Sequence, residues 1–70
     1  MNAAGMASAS FPVTGTDLND LAAVAEDMLN GLAGANLYLY TIDDIEPLII
    51  DRAGEAHRWA GTVNATIRLP

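Results

Sequence analysis

Leu18, Leu21, Ala25, Met28 and Leu32 recur at the three- and four-residue spacing of a helix, and Ala22 and Leu29 widen the stripe. Asn19, Asp20, Ala23, Glu26, Asp27 and Asn30 fall on the opposite side. The spacing predicts a helix over 17–30 with one apolar face. Thr16 or Asp17 is placed to cap it, and Asp17 and Asp20 sit where the helix dipole favours negative charge. Gly31 or Gly34 ends it, since glycine takes the left-handed conformation at little cost.

After the helix the period falls from 3.6 to 2. Residues 36–42, NLYLYTI, read as a strand with two apolar faces, Leu37 and Leu39 on one, Tyr38 and Tyr40 on the other. Such a strand is covered on both sides or lies at an interface. Asp43, Asp44 and Glu46 form an acidic turn before Pro47, which holds its predecessor extended. Residues 47–59 read as a hairpin with a two-residue turn at Ala53-Gly54. That register pairs Arg52 with Glu55, Ile50 with His57 and Leu48 with Trp59. From His57 the alternation runs on through Trp59, Gly61, Val63, Ala65, Ile67 and Leu69, with Arg58, Thr62, Asn64, Thr66 and Arg68 between them. The unbroken parity predicts one long strand through Gly61.

Residues 1–15 show no periodicity and carry no charged side chain. They are expected as a flexible or partner-bound arm anchored by Phe11, Pro12 and Val13, with 16–70 as a single small domain. The expected class is α+β: one amphipathic helix packed on a small antiparallel sheet of about three strands, with an extended N-terminal arm.

Composition narrows what such a domain does. A chain of 70 residues buries only about 60% of the surface its unfolded form exposes, so small domains lean on disulfides, metals or partners. There is no cysteine and a single histidine, which removes disulfides and makes a structural zinc site a poor fit. Nine Asp and Glu stand against three Arg and no Lys, for a formal charge of −6. Nucleic acids and anionic membranes need clustered cations and are not expected as partners. No apolar run approaches the ~20 residues that span a bilayer, and the opening residues lack the charged and apolar regions of a secretion signal. A soluble protein, intracellular or in a virion, is expected.

Candidate chemistry is sparse. His57 faces Ile50 in the expected register and reads as a partly buried structural histidine, and Trp59 reads as core. Asp51 and Arg58 share the outer face of the hairpin as a diagonal pair. Asp43, Asp44 and Glu46 do not match a calcium loop, GLAGAN lacks the lysine of a phosphate loop, and Ser8 and Ser10 lie in the arm away from any base. No catalytic, cofactor-binding or metal residue is assigned, and no cofactor is expected.

What remains is protein–protein contact, with a homo-oligomer or a place in a larger assembly as the expected state. The candidate contact residues are Phe11, Val13, Tyr38, Tyr40, Arg58, Thr62, Asn64 and Thr66. The expected function is a non-enzymatic structural or assembly protein, with a small phage virion component (capsid decoration or head–tail joining) as one placement. The alternative is a small acidic inhibitor or regulator that binds a basic surface of a partner protein through Asp20, Glu26, Asp27, Asp43, Asp44 and Glu46.

Overall fold

A computed structural model describes residues 5–34 and 36–69. Strand β1 (Met6–Gly15) leads into helix α1 (Leu18–Ala33), followed by strands β2 (Tyr38–Ile50) and β3 (Ala56–Arg68). The sheet is antiparallel in the order β1-β3-β2, so the last strand is the central one. The class is α+β, one helix on a three-stranded antiparallel sheet with an extended N-terminal segment, as the pattern predicts. The membership of the strands is different.

The arm is extended, but residues 6–15 lie on the chain's own β3, from Met6 opposite Arg68 to Gly15 opposite Trp59. The first four residues of that expected arm lie outside the described residues. Alternation explains the pairing: Ala7, Ala9, Phe11 and Val13 turn toward the helix, while Ser8, Ser10 and Thr14 face away. Small alternating side chains fit a pleated edge as well as they fit a loose tail, and β3 supplies the missing half of the signal. Val13 is 3% exposed and belongs to the core, which leaves it almost no surface for the partner contact expected of it.

Helix α1 begins where predicted and runs one turn further. Asp17 is the N-cap, its Oδ1 accepting from the Asp20 N–H at 2.7 Å, while Asp20 Oδ2 accepts from the Thr16 N–H at 2.9 Å. Gly34, at φ 61°, closes the other end with its N–H on the Asn30 carbonyl. The buried seam is Leu21, Ala25, Leu29 and Ala33, a strict four-residue row, whereas Leu18, Met28 and Leu32 stay exposed. Two alanines in that row let the helix approach the sheet closely. Beneath it lie Val13, Val63 and Ala65, with Phe11, Val24, Tyr38, Tyr40, Ile42 and Trp59 half-buried at the margins.

The acidic stretch is not a turn. Strand β2 passes straight through it, absorbing an extra residue as a bulge between Asp43 and Glu46, opposite Gly61. Asp44 takes the left-handed conformation there, φ 54°, which aspartate tolerates better than most residues. The space this leaves is filled by Ile42 and Ile45, which crowd Gly61. Two segments expected as separate strands thereby become one, and β1 makes up the third.

The hairpin turn is also wider by one residue than predicted. Asp51 N–H donates to the Glu55 carbonyl, Gly54 N–H donates to the Asp51 carbonyl, and Gly54 sits at φ 87°. The Asp51 carboxylate drives this choice by accepting from the N–H groups of both Ala53 and Glu55 at 2.9 Å. Register moves by one, so Ile50 pairs with Ala56 and Pro47 with Trp59.

The Gly61 site yields a stability prediction. A Cβ added there lies 2.7 Å from Ile42 Cγ2, closer than any real contact. Gly61→Ala is expected to destabilise by about 1–3 kcal/mol in urea unfolding, the usual cost of overpacking. Combined with Ile42→Ala in the same chain, it should cost less than the sum of the two single substitutions. A neutral Gly61→Ala would mean that the bulge opposite it is misplaced.

Candidate functional site

Three surfaces compete for the role of site: the sheet face away from the helix, the margin of the helix, and the far end of the hairpin. The first is polar at its centre. Ser10 Oγ donates to Asn64 Oδ1 at 3.0 Å, Asn64 Nδ2 donates to Asp43 Oδ2 at 2.7 Å, and Thr41 Oγ1 donates to the same oxygen at 2.9 Å. One row of side chains therefore ties β1, β3 and β2 together. The Asn64 amide, and behind it Thr41, hold the Asp43 carboxyl below its ordinary value. Of the candidate contact residues, Thr62, Asn64 and Thr66 lie on this face, Thr62 half-buried and the other two exposed.

At one end of the same face the surface turns apolar. Leu39, opposite Thr66, is 80% exposed and Leu37 is 72% exposed. With Met6, Tyr38 and Arg68 they line a shallow cleft of about 340 Å³. The uncovered side of this strand is thus the leucine side. Tyr38 and Tyr40 face the helix, their rings 6.2 Å apart, with their hydroxyls donating to Asn30 Oδ1 at 2.8 Å and Glu26 Oε2 at 2.9 Å. Burial first, and then the Glu26 carboxylate, push the Tyr40 hydroxyl above its ordinary pKa. Phe11 is half-buried against the core from the other margin.

Among the described residues nothing covers the far end of the hairpin. Strand β1 stops opposite Trp59, leaving Ala56, His57 and Arg58 beyond it. Along β2, Leu48, Ile49 and Ile50 are each at least half exposed. Two register shifts, one on each strand, break the alternation here, so the expected split into an apolar and a polar face does not form. His57 is pushed outward, 58% exposed, and bonds Asp51 Oδ2 through Nε2 at 2.7 Å. It is a hydrogen-bonded surface histidine, not a half-buried one. Arg58 turns from Asp51 and donates to Thr14 Oγ1 at 3.3 Å.

Chemically, an imidazole on a carboxylate is half of a nucleophile-activating set. The serines that would complete it lie on β1, and Ser10 pairs with Asn64, about 23 Å along β3 from His57 at ~3.3 Å per residue. Among the described residues no group of three or more His, Asp and Glu is placed to hold a metal ion, and no helix is long and apolar enough to cross a membrane. What the surfaces offer is contact area. Met6, Leu37, Leu39, Leu48, Ile49, Ile50 and Arg68 were not among the sequence candidates, although the unbroken run Leu48-Ile49-Ile50 was a signal that no single covered face accommodates it.

The chain matches no family model, and neither curated proteins nor solved structures gave a match.

The turn makes a pH prediction. His57, followed by the Glu55 and Ala53 N–H groups, holds the Asp51 carboxyl below its ordinary 3.8. A carboxyl whose pKa is depressed by folding stabilises the fold above its unfolded value and loses that contribution as pH falls through the folded one. Stability of the hairpin should therefore decline as pH falls below 3.8, with Asp43 acting in the same sense. Asp51→Asn should shrink this acid-side decline, measured as melting temperature against pH. An unchanged pH profile in that variant would remove Asp51 from the account.

Proposed function

We propose that this chain is a non-enzymatic structural or assembly protein that works through protein–protein contacts, as a self-associating subunit or as one copy in a larger assembly. The observation that carries the reading is the far half of the β2–β3 hairpin, where Leu48, Ile49 and Ile50 stand in solvent with no element over either face among the described residues. A two-stranded ribbon alone in water is marginal at best, and residues of this kind become stable when a partner covers them. The accessible area points the same way: 4828 Å² against about 4,200 Å² for a compact monomer of this mass.

A small virion component, such as a capsid decoration or head–tail joining piece, is the placement we propose within that class. Its supports are a 59 Å long subunit, two free sheet edges and an exposed ribbon. The acidic-inhibitor alternative draws less support, because several of its carboxylates have internal duties. Asp20 bonds the residue before the helix cap, Glu26 holds Tyr40, and Asp43 holds Asn64 and Thr41.

Thermal unfolding across a hundredfold range of protein concentration, with light scattering, tests the reading. Mass action predicts a melting temperature that rises with concentration, by an amount equivalent to at most ~2.7 kcal/mol over that range. A monomer mass with a concentration-independent melt would overturn self-association. The acidic reading would then lead, and its binding should weaken steeply with salt.

A further inference from the structure

Two apolar surfaces lie at opposite ends of the molecule, and they differ in charge. At one end is the cleft of Met6, Leu37, Leu39 and Arg68, at the start of β2 and the end of β3. At the other is the hairpin end with Leu48, Ile49 and Ile50, about 36 Å along β2 from Leu39 at ~3.3 Å per residue. Across 43–58 the hairpin carries Asp43, Asp44, Glu46, Asp51 and Glu55 against Arg52 and Arg58. The strands at the cleft end are almost uncharged, while Glu26 of the helix reaches Tyr40 beside them. Among the described residues of 5–15, 36–42 and 59–69, Arg68 is the sole charged side chain.

We propose that the hairpin end of one copy seats in the Leu37–Leu39–Arg68 cleft of the next, so that the chain associates with itself head to tail. The proposal rests on the assembly reading above and names its partner, a second copy of this chain. Two observations select that occupant. The cleft is open, apolar and bounded by a cation, while the hairpin end is apolar and carries an excess of carboxylates. Glu55 is the exposed carboxylate at the turn that is left to meet Arg68, since Asp51 is held by His57. Side-by-side pairing of two hairpins would instead bring like-charged acidic segments together. A contact between two different surfaces is heterologous, so it repeats, giving a ring where the rotation closes and a filament where it does not.

The absence of cysteine makes the test direct. Ile49→Cys and Leu39→Cys chains, both altered at exposed positions, are mixed and oxidised, and disulfide-linked products are separated by mass. The expected result is a mixed Ile49–Leu39 crosslink at several-fold higher yield than either chain gives alone. A second arm follows oligomer mass by sedimentation. Arg68→Glu should weaken association at least tenfold, and Glu55→Arg in the same chain should restore it. Oligomers whose crosslinks are predominantly like-with-like, or whose mass ignores Arg68→Glu, would overturn the head-to-tail contact and leave the assembly reading standing. A monomer at every concentration would overturn both.

Discussion

One helix of 16 residues is about 24 Å long, and the 13-residue strands it must cover reach about 43 Å. Most of what is unusual about this chain follows from that mismatch. Where α1 overlies the sheet, Leu21, Leu29 and Val63 are fully buried. Where it does not, Leu48, Ile49 and Ile50 carry the same kind of side chain into water. The result is a radius of gyration of 14.8 Å where a compact chain of this length has about 11 Å. A second helix would have closed the fold. The chain has a ribbon there instead.

Inside the covered half, the central strand sets the order. Gly61, Val63, Ala65 and Ile67 form the floor on which the helix rests, and β1 and β2 fit against β3 from either side in matched alternation. The bulge at Asp44 marks the boundary. Up to it, β2 keeps Tyr38, Tyr40 and Ile42 beneath the helix; past it, the register shifts and side chains lose a consistent face. The glycine opposite the bulge is what allows Ile42 and Ile45 to pack so near the backbone. Local chemistry of two residues thus divides the molecule into a core and a projection.

The parts that could be read from the sequence were those with a single dominant period. Helix α1, its aspartate cap and its glycine end follow from 3.6-residue spacing and side-chain capping chemistry. The unbroken β3 follows from parity through Gly61. The strand identity of 6–15 was hidden because its evidence lies in β3, the far end of the chain, and Ser-Ala alternation alone has little apolar contrast. The continuity of β2 was hidden because two aspartates and a proline carry the composition of a turn, while a bulge needs only one residue at positive φ. Register at the hairpin turned on Asp51 accepting two backbone N–H groups, a contest between turns that composition does not decide. The candidate contacts fared according to the same limits. Tyr38 and Tyr40 are among the candidate contacts, but their hydroxyls find Asn30 and Glu26 on the helix, which leaves Leu37 and Leu39 outside.

The central claim is that the covered half holds itself together and the ribbon does not. Amide hydrogen exchange, resolved by residue and repeated at low and high protein concentration, measures both at once. The account predicts strong protection at Leu29 and Val63 under all conditions. It predicts fast exchange across Leu48–Ile50 and Ala56–Arg58 in dilute solution, slowing as concentration rises. Ribbon amides as protected as Val63 in the dilute, monomeric chain would contradict it.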